Sequence, residues 1–144
     1  MSCTSVPSFV DTNILVYAED RDAKSKHAIA RELVVDLWER GDGVVSVQVL
    51  QEFFVTVTRK LKKPIVASKA SEIVNEYLAW TVVENTSGLL LAAIQLLRTE
   101  QLSFWDAMVV QAATEAGCDR LYSEDLGSNR RYGSLTVINP FKPG

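Results

Sequence analysis

One histidine, two cysteines and no long apolar run close several chemistries to this 144-residue chain. Cys3 and Cys118 lie far apart and form no C-x-x-C, so neither a disulfide framework nor a zinc knuckle is indicated. Both read as packed or spectator thiols. The sole histidine, His27, falls in a helical stretch away from the motifs below and reads as a surface or packing residue. No segment approaches the roughly 20 apolar residues of a membrane helix. The N-terminal MSCTSVPSF has neither a basic region nor a long apolar core. A cytoplasmic protein without membrane contact is expected. The phosphate loop G-x-x-x-x-G-K-[ST], the elbow G-x-S-x-G and the dinucleotide turn G-x-G-x-x-G are missing too. So is an excess of basic charge: the net charge of −3 does not suit a protein that grips nucleic acid over a wide face. Any such contact must be local. The densest basic stretch, TRKLKKP with Arg59, Lys60, Lys62 and Lys63, and the later pair Arg130 and Arg131, are candidates for phosphate contact. A solvated helix end explains the first stretch equally well.

What is present is an ordinary globular composition, 47% hydrophobic and 23% charged, without a linker, repeat or low-complexity tract. Residues 1–144 therefore read as one domain that buries about two-thirds of its unfolded surface. Strand-like runs cover Ser8 to Val10, Val44 to Val47, Thr81 to Glu84, Arg120 to Tyr122 and Leu135 to Ile138. Between Ala23 and Arg40 the positions Ala30, Leu33, Val34, Leu37 and Trp38 recur at helical spacing, and Gly41 ends that helix. Further stripes run through Ile73, Val74, Tyr77 and Leu78, and through Leu90, Ala93, Ile94 and Leu97. The segment LLLAAIQLL reads as core, and Ile65 to Trp80 is a candidate for contact with a partner. Short strands separated by helix-length segments predict an α/β fold with a mainly parallel sheet of four to five strands and helices on both faces. In such sheets ligands bind beyond the carboxyl ends of the strands.

Four acids stand near such ends. Asp11, in SFVDTNILVYA, follows the first strand directly, although capping the next helix is explanation enough for it alone. Glu52, in SVQVLQEFFVTVTRK, falls about two turns into a helix starting near Ser46. Flanked by Leu50, Phe53 and Phe54, it belongs at the edge of an apolar face, with simple exposure as the alternative. Asp106, in LSFWDAMVVQAA, fits a capping box opened by Ser103. Asp125, in LYSEDLGSNRRYG, follows the fourth strand and also suits a turn.

Together these segments resemble the PIN domain family, most closely its bacterial toxin branch of the VapC kind. The resemblance spans nearly the whole chain and rests on FVDTNILVYA, VSVQVLQEF followed by TRK, LSFWDAMVVQAA and the closing LYSEDL…G…VINPF, in this order. It implies a single PIN-like domain and places the family's acids on Asp11, Glu52, Asp106 and Asp125, with Glu124 competing for the fourth place. It also implies a Mg²⁺- or Mn²⁺-dependent ribonuclease, commonly dimeric, whose partner is a cognate antitoxin. Within DTN, Thr12 or Asn13 is expected to orient Asp11 or a water, or alternatively to cap the helix. Ser123 is expected to act similarly from the other side.

Gathered carboxylates repel one another, and burial further disfavours their charge, so an acid-rich and histidine-poor pocket calls for an oxygen-seeking divalent cation. Such an ion supports phosphodiester hydrolysis without a covalent nucleophile. Two rivals compete with this reading. A phosphatase of the haloacid dehalogenase class also places an Asp after its first strand, but it needs a second Asp where Asn13 stands. A non-catalytic PIN-like module would use the acids merely as caps.

Overall fold

The computed structural model describes residues 6–142, which leaves Cys3 outside the described residues. In chain order the elements are β1 (Ser8–Val10), α1 (Thr12–Glu19), a 3-10 turn (Arg21–Ala23), α2 (Ser25–Arg40), β2 (Gly43–Ser46) and α3 (Val47–Arg59). They continue through α4 (Ala67–Tyr77), β3 (Thr81–Val83), α5 (Ser87–Leu97), α6 (Phe104–Glu115), β4 (Arg120–Tyr122), β5 (Arg131–Tyr132) and β6 (Leu135–Ile138). The strands form one sheet in the order β3-β2-β1-β4-β6-β5, parallel throughout except for β5.

β1 and β2 are buried at every position, although successive side chains point to opposite faces. Both faces of the sheet are therefore covered at its centre, as parallel strands require. Phe9, Val10, Val45, Leu121 and Val137 fill that centre. The chain leaves β1 toward β2 on one side and later returns to pair β4 on the other. This reversal opens a crevice at the carboxyl ends of β1 and β4. Among the described residues no helix is long and apolar enough to cross a membrane.

The five expected strands are all present, with β2 and β3 each ending one residue earlier than expected. The sixth, β5, is a two-residue hairpin partner of β6 and too short to leave a periodic signal. Gly41 ends α2 in the left-handed conformation, as expected. The phase of α5 departs from the expectation. Leu89 and Ala93 face inward, whereas Leu90, Leu91 and Ile94 are exposed, Leu91 by 67%. In LLLAAIQLL only Gln95 interrupts eight apolar residues, too little to set a phase, so tertiary packing decides which face is buried.

Gly43 of β2 lies directly beneath the Trp80 indole, whose Cε3 would stand 2.4 Å from an added Cβ. That indole is itself wedged edge-on against Tyr77 and Trp38, at centroid distances of 5.0 and 5.4 Å. Gly43→Ala is therefore expected to destabilise the fold by about 1–3 kcal/mol through overpacking. Urea denaturation measures this, and an unchanged midpoint would show that Trp80 yields freely.

Candidate active site

The first turn of α1 organises the crevice. Asp11, only 7% exposed, is the N-cap of α1, and its Oδ1 accepts from the Thr12 backbone N–H at 2.8 Å. Its Oδ2 accepts from the Ser123 hydroxyl at 2.7 Å. Capping and presentation of a carboxylate are thus combined in one residue, and Thr12 and Asn13 are helical residues rather than caps. Their side chains hold the neighbouring acids. Thr12 Oγ1 donates to Glu52 Oε1 at 2.9 Å, and Asn13 Nδ2 donates to Asp125 Oδ2 at 2.8 Å. The tripeptide DTN therefore contributes one acid and tethers two more.

Glu52 is exposed on α3 beside buried Phe53, one helical turn after Gln48. Asp106 enters from α6, where Ser103 caps the helix by accepting from the Asp106 N–H at 3.1 Å. Among the described residues no return bond from Ser103 N–H engages the Asp106 carboxylate, so the capping box is only half made. Asp11, Glu52, Asp106 and Asp125 all line one cavity of about 610 Å³, walled by faces of α1, α3 and α6. Of the basic candidates only Lys60 lines it; Arg59, Arg130 and Arg131 do not. Arg130 instead approaches Glu100 at 3.9 Å and lies over the Tyr132 ring. His27, as expected, has a packing role, its Nδ1 lying 2.8 Å from the Tyr17 carbonyl oxygen.

Glu124 and Asp125 differ in their partners. Glu124 turns away from the cavity, accepting from the Tyr17 hydroxyl at 2.7 Å and pairing with Lys26. Burial works against its charge, but these bonds prevail and hold its pKa below the ordinary carboxylate value. Its backbone N–H donates to Asn13 Oδ1, so Asn13 grips the loop at both positions. Asp125 is left facing the cavity.

Burial pushes the Asp11 pKa up to about 6; the Ser123 and Thr12 bonds oppose the shift, and the charges of Glu52 and Asp125 add to it. Among the described residues no lysine or arginine pairs with any of the four acids. Nor do any three acidic, histidine or cysteine side chains stand close enough to grip an ion unaided. The acids surround the cavity more loosely than the gathered carboxylates that the sequence suggests. An ion that keeps several of its waters and needs one or two direct carboxylates, as Mg²⁺ does, suits such an oxygen-only, uncompensated donor set.

Two cavity-lining aromatics went unremarked in the sequence, Tyr17 and Trp105. Trp105 had a signal available, since it immediately precedes an acid aimed at the crevice. Apolar residues at helix starts are, however, ordinarily assigned to the core.

Comparison with known proteins bears on the family and the fold. The family model described as PIN domain matches residues 8–133. The chain is 27% identical to Ribonuclease VapC24 of Mycobacterium tuberculosis over 141 residues, covering 91% of this chain and 94% of the relative. Among solved structures it resembles a toxin-antitoxin complex from Klebsiella pneumoniae, with a TM-score of 0.68 and 15% identity, covering 94% of this chain and 99% of that one. It also resembles Mycobacterium tuberculosis VapC20, described as a Sarcin-Ricin loop cleaving toxin, with a TM-score of 0.62 and 21% identity, covering 82% of this chain and 89% of that one. Sheet order, the acid-lined crevice and a family match over most of its length lead to one assignment: the chain belongs to the PIN domain family.

Proposed function

We propose that this protein is a Mg²⁺- or Mn²⁺-dependent endoribonuclease and the toxin of a toxin-antitoxin pair. The observation that carries the reading is the meeting of four carboxylates from separate segments around one cavity, without a cationic partner among the described residues. The similarity to Ribonuclease VapC24 supports it. Asp11 and Asp106 are the residues that would hold the ion, with Glu52 and Asp125 at its edge. A bound divalent ion supplies the charge neutralisation and water activation that phosphodiester hydrolysis needs. Ser123 and the Thr12 N–H fix the Asp11 carboxylate, while Thr12 Oγ1 and Asn13 Nδ2 hold Glu52 and Asp125 in orientation to accept from water. Lys60 provides positive charge for a neighbouring phosphate. At position 13 the carboxamide tethers Asp125, a role opposite to that of the second acid required in a haloacid dehalogenase-like phosphatase.

The antitoxin's place is the apolar groove between α3 and α4, lined by Val47, Leu50, Phe54, Val55, Val74 and Leu78. An amphipathic helix fits such a groove, of which only the wall carrying Val74 and Leu78 falls between Ile65 and Trp80. The exposed Leu90, Leu91 and Ile94 of α5 offer a second apolar surface, suited to a homodimer.

The test is cleavage of total and structured RNA with Mg²⁺, Mn²⁺ or chelator. Metal-dependent fragments are expected, and inactivity under all three conditions would favour the non-catalytic module. Glu124→Gln, which keeps the Tyr17 bond, should remain within about threefold of wild type. Asp125→Asn should lose about 10- to 100-fold, the range for groups that orient a metal site. The reverse ranking would make Glu124 the fourth acid.

A further inference from the structure

Trp105 is 59% exposed, unusual for a residue type that is highly buried on average. It lines the same cavity as the four acids and directly precedes Asp106 on α6. Phe104 packs against it in a T-shaped contact, with centroids 4.9 Å apart at 79°, and the indole is still more than half exposed. The other aromatic of the cavity, Tyr17, is committed elsewhere: its hydroxyl donates to Glu124 and its ring packs against Lys26 and Phe141.

The charge around this cavity sharpens the point. Asp11, Asp20, Glu52, Asp106 and Asp125 line it against Lys60 as the lysine or arginine present, and the whole chain carries a net charge of −3. Phosphate attraction, which ordinarily supplies most of the affinity for nucleic acid, is weak here. A polyanion held at such a site needs a contact that does not depend on charge. Stacking of a base on an aromatic face is that contact, and any base can make it.

We propose that Trp105 is a stacking platform for one unpaired RNA base beside the phosphate that is cut. The proposal rests on the ribonuclease reading of the cavity and adds how the substrate is held. A base inside a duplex is already stacked, so the platform selects loops, bulges and single strands. Because the indole adjoins Asp106, the captured base lies next to the reacting phosphate, and removing it affects substrate affinity more than turnover.

The test uses a fluorescently labelled single-stranded RNA decamer and a series in which one abasic residue is moved along it. Binding is followed by anisotropy, in Mg²⁺, with Asp11→Asn protein carrying Trp105, Trp105→Ala or Trp105→Phe. Trp105→Ala should weaken binding about tenfold or more, and Trp105→Phe by less than about threefold. One abasic position should cost the Trp105 protein as much and cost Trp105→Ala nothing further. The salt dependence should be unchanged by Trp105→Ala and reduced by Lys60→Ala. In protein with its acids intact, KM for the decamer should rise in Trp105→Ala with little change in kcat. The proposal is overturned by equal binding of Trp105→Ala, by losses that multiply with abasic substitution, or by decamer that does not bind at all. A Trp105→Ala defect confined to self-association or antitoxin capture would equally overturn it and make the indole a protein contact. Trp105-dependent binding in a protein that never cleaves would leave the platform standing and remove the ribonuclease reading instead.

Discussion

Asp11→Asn and Asp106→Asn should each lower metal-dependent RNA cleavage by about a thousandfold or more while leaving the fold intact. Charge neutralisation by a divalent ion is worth several kcal/mol at a phosphoryl transition state, and about 4 kcal/mol corresponds to a factor of a thousand. Both residues would hold that ion, and an amide oxygen is a poor substitute for an anionic one. Structure is spared for a specific reason. In Asp11→Asn the amide oxygen can still accept from the Thr12 N–H, and the amide nitrogen can donate to Ser123 Oγ in place of the bond it now receives. Asp106 makes no side-chain bond to its own cap, so its exchange leaves the Ser103 contact in place. Fragment yield from labelled RNA, compared with far-ultraviolet circular dichroism of the same preparations, checks both halves of the expectation. Wild-type turnover in both variants would remove the mechanism.

Without divalent ion, Asp11→Asn should make the protein more stable. The Asp11 pKa rises from 3.8 to about 6 on folding, chiefly because burial disfavours its charge. The folded state thus binds this proton more tightly than the unfolded chain. Below pH 3.8 the carboxyl is protonated in both states and adds no penalty. As pH climbs from 3.8 through about 6 the penalty grows, and above that it is complete at about 3 kcal/mol. Asparagine carries no such penalty, so in chelator at pH 8 the variant should exceed wild type by up to this amount, with the gap closing near pH 3. Mn²⁺ should then raise the wild-type melting temperature and leave the variant's unchanged. Thermal melts in chelator across this pH range decide the matter. A variant less stable than wild type at pH 8, or a gap independent of pH, would show that Asp11 is satisfied as an anion without metal.

The strands that position these acids were legible because each is a short apolar run set off from a helical stripe of different period. The order of the sheet was not, since no pattern within a strand names its neighbours. Asp11 was legible by position, one residue past β1, and DTN drew attention to Thr12 and Asn13. Their division of labour needed coordinates, because the partners Glu52 and Asp125 lie 40 and 112 residues away. Glu124 and Asp125 are chemically alike in sequence. Their partners differ: Tyr17 and Lys26, brought from α1 and α2, engage Glu124, and Asn13 engages Asp125. Arg130 shows the converse: a basic residue suited on paper to phosphate lies instead over Tyr132 and toward Glu100. LLLAAIQLL shows the same limit: without phase its sequence does not tell that Leu89 and Ala93 are buried and Leu90, Leu91 and Ile94 exposed.

The central claim is that these carboxylates form one divalent-ion site. Calorimetric titration of Mn²⁺ into wild-type, Asp11→Asn and Asp106→Asn protein tests it most directly. The account predicts saturable binding to wild type that both substitutions abolish or weaken at least about tenfold. Absence of binding to wild type, or equal affinity in all three proteins, would contradict it.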